Sequence, residues 1–285
     1  MGVDNIDVLY TDAALEGEDI KNKKLRLSIE LGLDGFSFSI KDIDDNLYIA
    51  YGSKTIKYGS TYTRLLSSLI ETVETTPVLN TLRYEEVILL YNDTIYTVMP
   101  TDLYDERHRK DYLSFTVGRD LTQDKSIKVD AVVKHNAVCV YQSLEKVEQY
   151  LSTRTRSIIV RHSVSAFMDS LPEDTVDVHL YVNMYNTHMC VAVTGGEGLQ
   201  MVNTYKVKEK SAFAYYMLSV CNHLGVNERE VSITLYGSVE RYTEYADAIK
   251  RYFPNARFAK RNEMGLYSAS LDMLAECESP NVFNL

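Results

Sequence analysis

Leu25-Arg26-Leu27-Ser28-Ile29-Glu30-Leu31-Gly32-Leu33-Asp34-Gly35-Phe36-Ser37-Phe38-Ser39-Ile40 alternates apolar and polar residues on both sides of a short turn. Leu25, Leu27, Ile29 and Leu31 share one face of an extended chain, and Phe36, Phe38 and Ile40 repeat the pattern after Gly32-Leu33-Asp34-Gly35. A period of two is the signature of a strand with one face against a core. Asp44-Asp45-Asn46 supplies a second turn, and Leu47, Ile49 and Tyr51 resume the alternation. Residues 25–57 therefore read as a three-stranded antiparallel meander. Glu30 falls on the polar side of its strand, where a carboxylate is expected to be solvated.

Working outward, Ser60 or Thr61 is placed to cap a helix, and Leu65, Leu66, Leu69, Ile70 and Val73 form its apolar stripe before Pro77 forbids continuation. Val87-Ile88-Leu89-Leu90-Tyr91 is short and continuously apolar, which predicts a strand buried on both faces. A further strand is expected over Ile95 to Met99. The unit reads βββαβ.

A second copy follows. Val178, Leu180, Val182 and Met184 alternate, then Met189, Val191 and Val193, then Leu199 to Val207 after Gly195-Gly196-Glu197-Gly198. Ser211 is expected to cap a helix carrying Phe213, Tyr216, Met217, Val220 and Leu224, ended by Gly225; Val231, Ile233 and Leu235 then predict a strand. A last amphipathic helix is expected from Ser238 through Val239, Tyr242, Ala246, Ile249 and Phe253. Glu30 precedes Ser60 by 30 residues and Asn183 precedes Ser211 by 28, so the two copies keep nearly the same spacing. A duplicated supersecondary unit constrains the fold more than any single element.

Between the copies lies a less regular region with the mixed charge run Asp105-Glu106-Arg107-His108-Arg109-Lys110-Asp111, read as a solvated helix face. Residues 127–141 read as strands, and Glu145 to Leu151 and Ser163 to Leu171 as helices. The expected organisation is a polar leader over 1–24, a first lobe over 25–165 with an insertion at about 101–160, and a second lobe over 166–285.

The chain has 285 residues, 45% of them hydrophobic and 25% charged, enough for one large core or two ordinary ones. Its net charge of -10 opposes phosphate backbones and anionic lipid on average, so nucleic acid is not an expected partner. No signal-type or membrane-spanning apolar run is present, which predicts a cytoplasmic protein without membrane insertion. Cys139, Cys190, Cys221 and Cys277 are scattered, as reduced core thiols are. His135 and Cys139, four apart on an expected strand, are too distant to share a metal, and no metal site is expected. His162, Ser163, Ser165 and Asp169 lie close in sequence without that closeness assembling a triad.

Two βββαβα lobes in tandem are the plan of the actin, Hsp70 and sugar-kinase superfamily. The chain resembles this superfamily and, over nearly its full length, an uncharacterised Bacteroidetes family assigned an actin-like ATPase fold. Leu27-Ser28-Ile29, Asp34-Gly35-Phe36-Ser37-Phe38-Ser39-Ile40 and Leu235-Tyr236-Gly237-Ser238 carry the second resemblance. It implies an α/β fold of duplicated ribonuclease H-like lobes in an actin-like ATPase architecture.

It also implies where a nucleotide would bind. The superfamily's first phosphate loop reads Asp-x-Gly-Thr/Ser, so Glu30 stands at the metal-directing acid, Gly32 at the glycine and Leu33 at the hydroxyl residue, with Asp34 adding a negative charge. Carboxylates beside an anion cost on the order of 1 kcal/mol or more each unless a metal intervenes. In the second lobe Asn183 stands at the acid and Tyr185 at the glycine. A neutral amide does not replace a carboxylate as a base, and tyrosine denies a phosphate the approach that glycine allows. The adenosine motif, a strand ending in Gly-Gly, is half kept as Gly237-Ser238, with a helix start that an anion would suit. A plainer reading makes Gly32 and Gly35 hairpin residues and Ser238 an ordinary cap.

Erosion at both loops predicts a scaffold or regulatory module with an unidentified protein partner, no catalytic residue and no required cofactor. The alternative is an ATP-binding protein or weak ATPase with magnesium and nucleotide held between the lobes by Glu30, Gly32, Asp34, Asn183, Gly237 and Ser238.

Overall fold

A computed structural model describes residues 6–56, 61–118, 126–172, 176–196, 198–207 and 209–285. Contacts divide the chain into two compact units, one of residues 1–167, 262–274 and 281–285, the other of 168–261 and 275–280. The chain thus enters the first unit twice more after leaving it.

The first unit contains β1 (Val8–Thr11), β2 (Leu25–Gly32), β3 (Gly35–Asp42), β4 (Leu47–Thr55), β5 (Tyr84–Asn92), β6 (Tyr96–Pro100), β7 (Ser126–Val132), β8 (Ala137–Ser143) and β9 (Thr155–His162). Its main sheet runs β1-β4-β3-β2-β5-β9, with Leu266–Tyr267 pairing on β4. The meander is antiparallel, with Ile29 opposite Phe38, Glu30 opposite Ser37 and Gly32 opposite Gly35. Gly35 has a φ of 145°, and a side chain there would overlap the Lys54 carbonyl, so the tight turn requires glycine. β5 and β9 then add in parallel to β2.

Helix Tyr62–Thr75 lays Leu65, Leu69 and Val73 into the core. The Thr61 side chain accepts from the Arg64 N–H at 3.3 Å, which settles the cap on Thr61, while Ser60 lies outside the described residues. Truncating Leu65 or Leu69, each 1% exposed, costs about 2–5 kcal/mol. The insertion folds as a small sheet, β6-β8-β7, packed by Ile95, Leu113 and Val140 against helix Arg109–Val117.

The second unit holds β10 (His179–Met184), β11 (His188–Gly195), β12 (Gly198–Lys206), β13 (Ser232–Gly237) and β14 (Ala256–Phe258) in the order β12-β11-β10-β13-β14. This is the order β4-β3-β2-β5-β9 again. Leu180, Val182, Val191 and Val193 pack on Phe213, Met217 and Val220 of helix Lys210–Leu224.

Several local expectations change. Ser211 is not the cap: the helix starts one residue earlier, Glu209 is its boundary residue, and no side chain caps it. The final helix is two, Val239–Glu244 and Ala246–Tyr252, because the backbone breaks at Tyr245, whose ring stacks on Phe213 with centroids 5.2 Å apart. His135 lies in a 3₁₀ turn that Asn136 closes at φ 47°, not on the strand of Cys139. β9 went unread because Arg156 and Arg161 flank a three-residue apolar core, as befits a strand paired on one side only. β1 pairs with β4 from within the polar leader.

Candidate functional site

Each unit carries one candidate half-site on equivalent strands. In the first, Glu30 is 5% exposed. That corrects the solvated reading. β2 is a central strand covered on both faces, so its polar side is buried too. The carboxylate is met by a side chain from the far end of the sequence: Asn281 Nδ2 donates to Glu30 Oε1 at 2.8 Å. Neighbouring residues fix that segment, with Ser39 Oγ donating to the Val282 carbonyl at 2.6 Å and Tyr48 OH to the Phe283 carbonyl at 2.6 Å.

Gly32 pairs across the turn with Gly35, and Asp34 is half-buried beside it, its carbonyl accepting from the Ile56 N–H at 2.9 Å. A Cβ on Gly32 would stand 3.0 Å from the Asn92 carbonyl and 3.0 Å from Asp34 Oδ1. The cavity against Gly32, bounded by Tyr62, Asn92, Asp93 and Gln142, measures about 10 Å³. That is space for one water, not a phosphate. Tyr62 OH and the Ile95 N–H already donate to the Asp93 carboxylate at 2.5 and 2.6 Å.

In the second unit, Asn183 is 1% exposed and donates through Nδ2 to Tyr185 OH at 2.9 Å. The Tyr185 ring stacks on His188 with centroids 4.7 Å apart. Asn183 Oδ1 is buried without a hydrogen-bond partner among the described residues. Gly237 lies directly beside this pair in the parallel register, opposite Met184, with a φ of 91°.

The backbone donors at Gly237 and Ser238 are already engaged. The Gly237 N–H donates to the Cys277 carbonyl at 2.7 Å and the Ser238 N–H to the Met184 carbonyl at 3.3 Å. The Glu278 carboxyl pKa is raised, chiefly by burial and further by Glu240, with the Val239 N–H pulling the other way. Ser238 Oγ caps by accepting from the Arg241 N–H at 3.4 Å. The helix start that the sequence offers to an anion belongs to a helix of only six residues, with the protein's own Glu278 near Val239. Nearby, the Cys277 thiol is pushed up to about 11 by burial, then by Glu278.

Cys277, Glu278 and Asn281 escaped sequence reading. The one available signal was indirect: a doubly buried β5 implies that its neighbour's polar face, with Glu30, also needs a cover. The His162 cluster is structural, with Val164 N–H donating to Nδ1 at 3.2 Å and Nε2 placed 3.1 Å from the Asp93 carbonyl. That pattern describes an imidazole held by backbone groups. Among the described residues, no group of three or more His, Cys, Asp or Glu is placed to hold a metal, and no helix is long and apolar enough to cross a membrane.

Twice-repeated sheet order with paired hairpins at equivalent positions defines an actin-like ATPase fold built from duplicated ribonuclease H-like lobes. The chain belongs to the family described as "Protein of unknown function (DUF3822)", whose pattern matches residues 16–256. It is similar to a Bacteroides thetaiotaomicron VPI-5482 protein of actin-like ATPase fold and unknown function, at 16% identity and a TM-score of 0.71, over 85% of this chain and 93% of that one. It is also similar to a chain of the PilM-PilN type IV pilus biogenesis complex, at 8% identity and a TM-score of 0.61, over 91% and 97%. At these identities the likeness is one of fold. No curated protein matches the chain.

Proposed function

We propose that this protein is a non-catalytic, cytoplasmic actin-like module, a pseudo-ATPase that works by binding another protein. The observation that carries the reading is the state of two consecutive backbone donors at Gly237 and Ser238, each spent on a carbonyl of the same unit. A nucleotide there would have to displace two backbone carbonyls before making its first hydrogen bond to Gly237 or Ser238. The residues do not fit magnesium-ATP in the second unit. In the first, Glu30 and Gly32 keep an acid and a glycine, but the acid is buried under Asn281.

A fold that keeps its architecture and fills its ligand positions with its own side chains suits a scaffold. PilM, an actin-like fold found in complex with PilN, is a precedent for such folds acting through protein contacts.

Thermal denaturation with millimolar magnesium-ATP tests the reading, because a ligand at 100 times its Kd stabilises by about 2.7 kcal/mol. The expected result is no saturable shift. A shift that saturates and is lost in Glu30→Gln overturns the proposal and establishes the ATP-binding alternative.

A further inference from the structure

The first unit has a second concave feature, away from its candidate half-site. A cleft of about 590 Å³ opens where β2, β5 and β9 begin, whereas the Gly32 hairpin follows the end of β2. β2 has eight residues, so cleft and hairpin are separated by roughly 25 Å of strand at about 3.3 Å per residue. The two are distinct sites.

Six of the eleven residues lining the cleft are basic, in a chain with 30 basic residues in 285 and a net charge of -10. They are Lys21, Lys23, Lys24, Arg83, Arg154 and Arg156, and Glu85 is the only acid among the lining residues. Three separate segments supply them: the run Lys21-Asn22-Lys23-Lys24 before β2, Arg83 before β5, and Arg154-Thr155-Arg156 at β9. Cations gathered from three segments at one concavity repel one another, a cost that an anion relieves.

Acids near the cleft meet part of that charge. Lys23 pairs with Asp42 and with Asp45 at 2.6 Å, Lys24 with Asp44 at 3.4 Å, Arg156 with Glu85 at 3.1 Å, and Arg154 with Glu74. The Lys24 and Arg156 side chains are 61% and 80% exposed, and such surface pairs are worth only about 0–1 kcal/mol, so a multivalent anion competes with them. Lys21 and Arg83 line the cleft with no ion pair among the described residues. Donors for an oxyanion are thus in place.

We infer that this cleft binds a compact oxyanion carrying two or more charges on phosphate groups. Its volume lies in the range of small-ligand pockets, about 300–1,000 Å³. Tyr84, the one aromatic lining residue, is buried with its OH donating to the Val78 carbonyl at 2.7 Å, leaving charge rather than ring stacking as the means of recognition. An acidic peptide spreads its charges along an extended chain, whereas cations converging on one cavity suit charge concentrated on one small group.

The test is titration calorimetry with inorganic pyrophosphate, without magnesium, on the full chain and on Lys21→Glu/Arg83→Glu. Both positions are exposed, so the variant is expected to fold, and its melting curve checks this. The expected result is one saturable site, weakened at least ten-fold by the double reversal and weakened by salt. On the unaltered chain, pyrophosphate should slow acetylation of Lys21, Lys23 and Lys24 while leaving the exposed Lys260 unchanged, a readout that needs no variant. No saturable binding, protection at other lysines, or tighter binding of a poly-glutamate peptide than of pyrophosphate would overturn the inference.

Discussion

The β2–β3 and β10–β11 hairpins hold the same place in two sheets of the same order, and they treat their candidate residues differently. In the first, the Gly32–Gly35 pair encloses Leu33 and Asp34, and Glu30 is satisfied by Asn281, a residue 251 positions away. In the second, Tyr185 N–H donates to the His188 carbonyl at 2.9 Å around Asn186 and Thr187, and Asn183 and Tyr185 hydrogen-bond each other. One hairpin holds a buried carboxylate under a distant cover; the other holds a local cluster of Asn183, Tyr185 and His188.

The largest expected effect breaks the comparison at its glycines. Gly237 has a φ of 91°, and a methyl group there would overlap the Met184 carbonyl oxygen, so Gly237→Ala should destabilise the second unit by about 3 kcal/mol or more. Gly32→Ala meets its nearest atoms at 3.0 Å and should cost the first unit only about 1 kcal/mol. The chain has no tryptophan, so hydrogen exchange resolved by peptide is the suitable measurement. Equal losses in β2–β5 and β10–β13 would show the first hairpin to be as tightly closed as the second.

A smaller effect concerns the cover on Glu30. Asn281→Ala removes a donor from a buried carboxylate and should cost about 1–3 kcal/mol. Glu30→Gln keeps an acceptor for Asn281 and removes a buried charge, so it should cost less. Denaturant titration of both variants checks the order, and the reverse order would mean that the Glu30 charge itself holds the strand.

The contrast between the hairpins was half legible in the sequence. The meander, the helix after Thr61, β5 and the positions of Asn183 and Tyr185 follow from period-two alternation and turn residues, which are local. The filling of both half-sites was not legible, because Asn281, Glu278 and Cys277 sit in Cys277-Glu278-Ser279-Pro280-Asn281, a short polar stretch with no periodicity. β1 and Leu266–Tyr267 were hidden for a related reason: four and two residues paired on β4 are too short for a pattern and take their conformation from the neighbour strand. The basic cleft combines Lys21, Arg83 and Arg154 from segments that topology, not sequence adjacency, brings together.

The smallest effect separates the units by pH. Glu278 lies in the second unit, and its pKa is raised above the ordinary value of 4.5, first by burial and then by Glu240, against the opposing pull of the Val239 N–H. A raised folded pKa means that the folded state binds the proton more tightly than the unfolded chain. Its contribution to stability is therefore fully present below the unfolded value and is lost as pH rises through the folded one. Glu278→Gln never ionises and keeps an oxygen for the Val239 N–H, so its stability should not fall over that window. The variant should match the unaltered protein in acid and exceed it toward neutrality. Exchange protection, corrected for the intrinsic rate, should show the gap in β13 and not in β2. A gap of the same size in both units would mean that Glu278 acts on the whole chain rather than on the second unit alone.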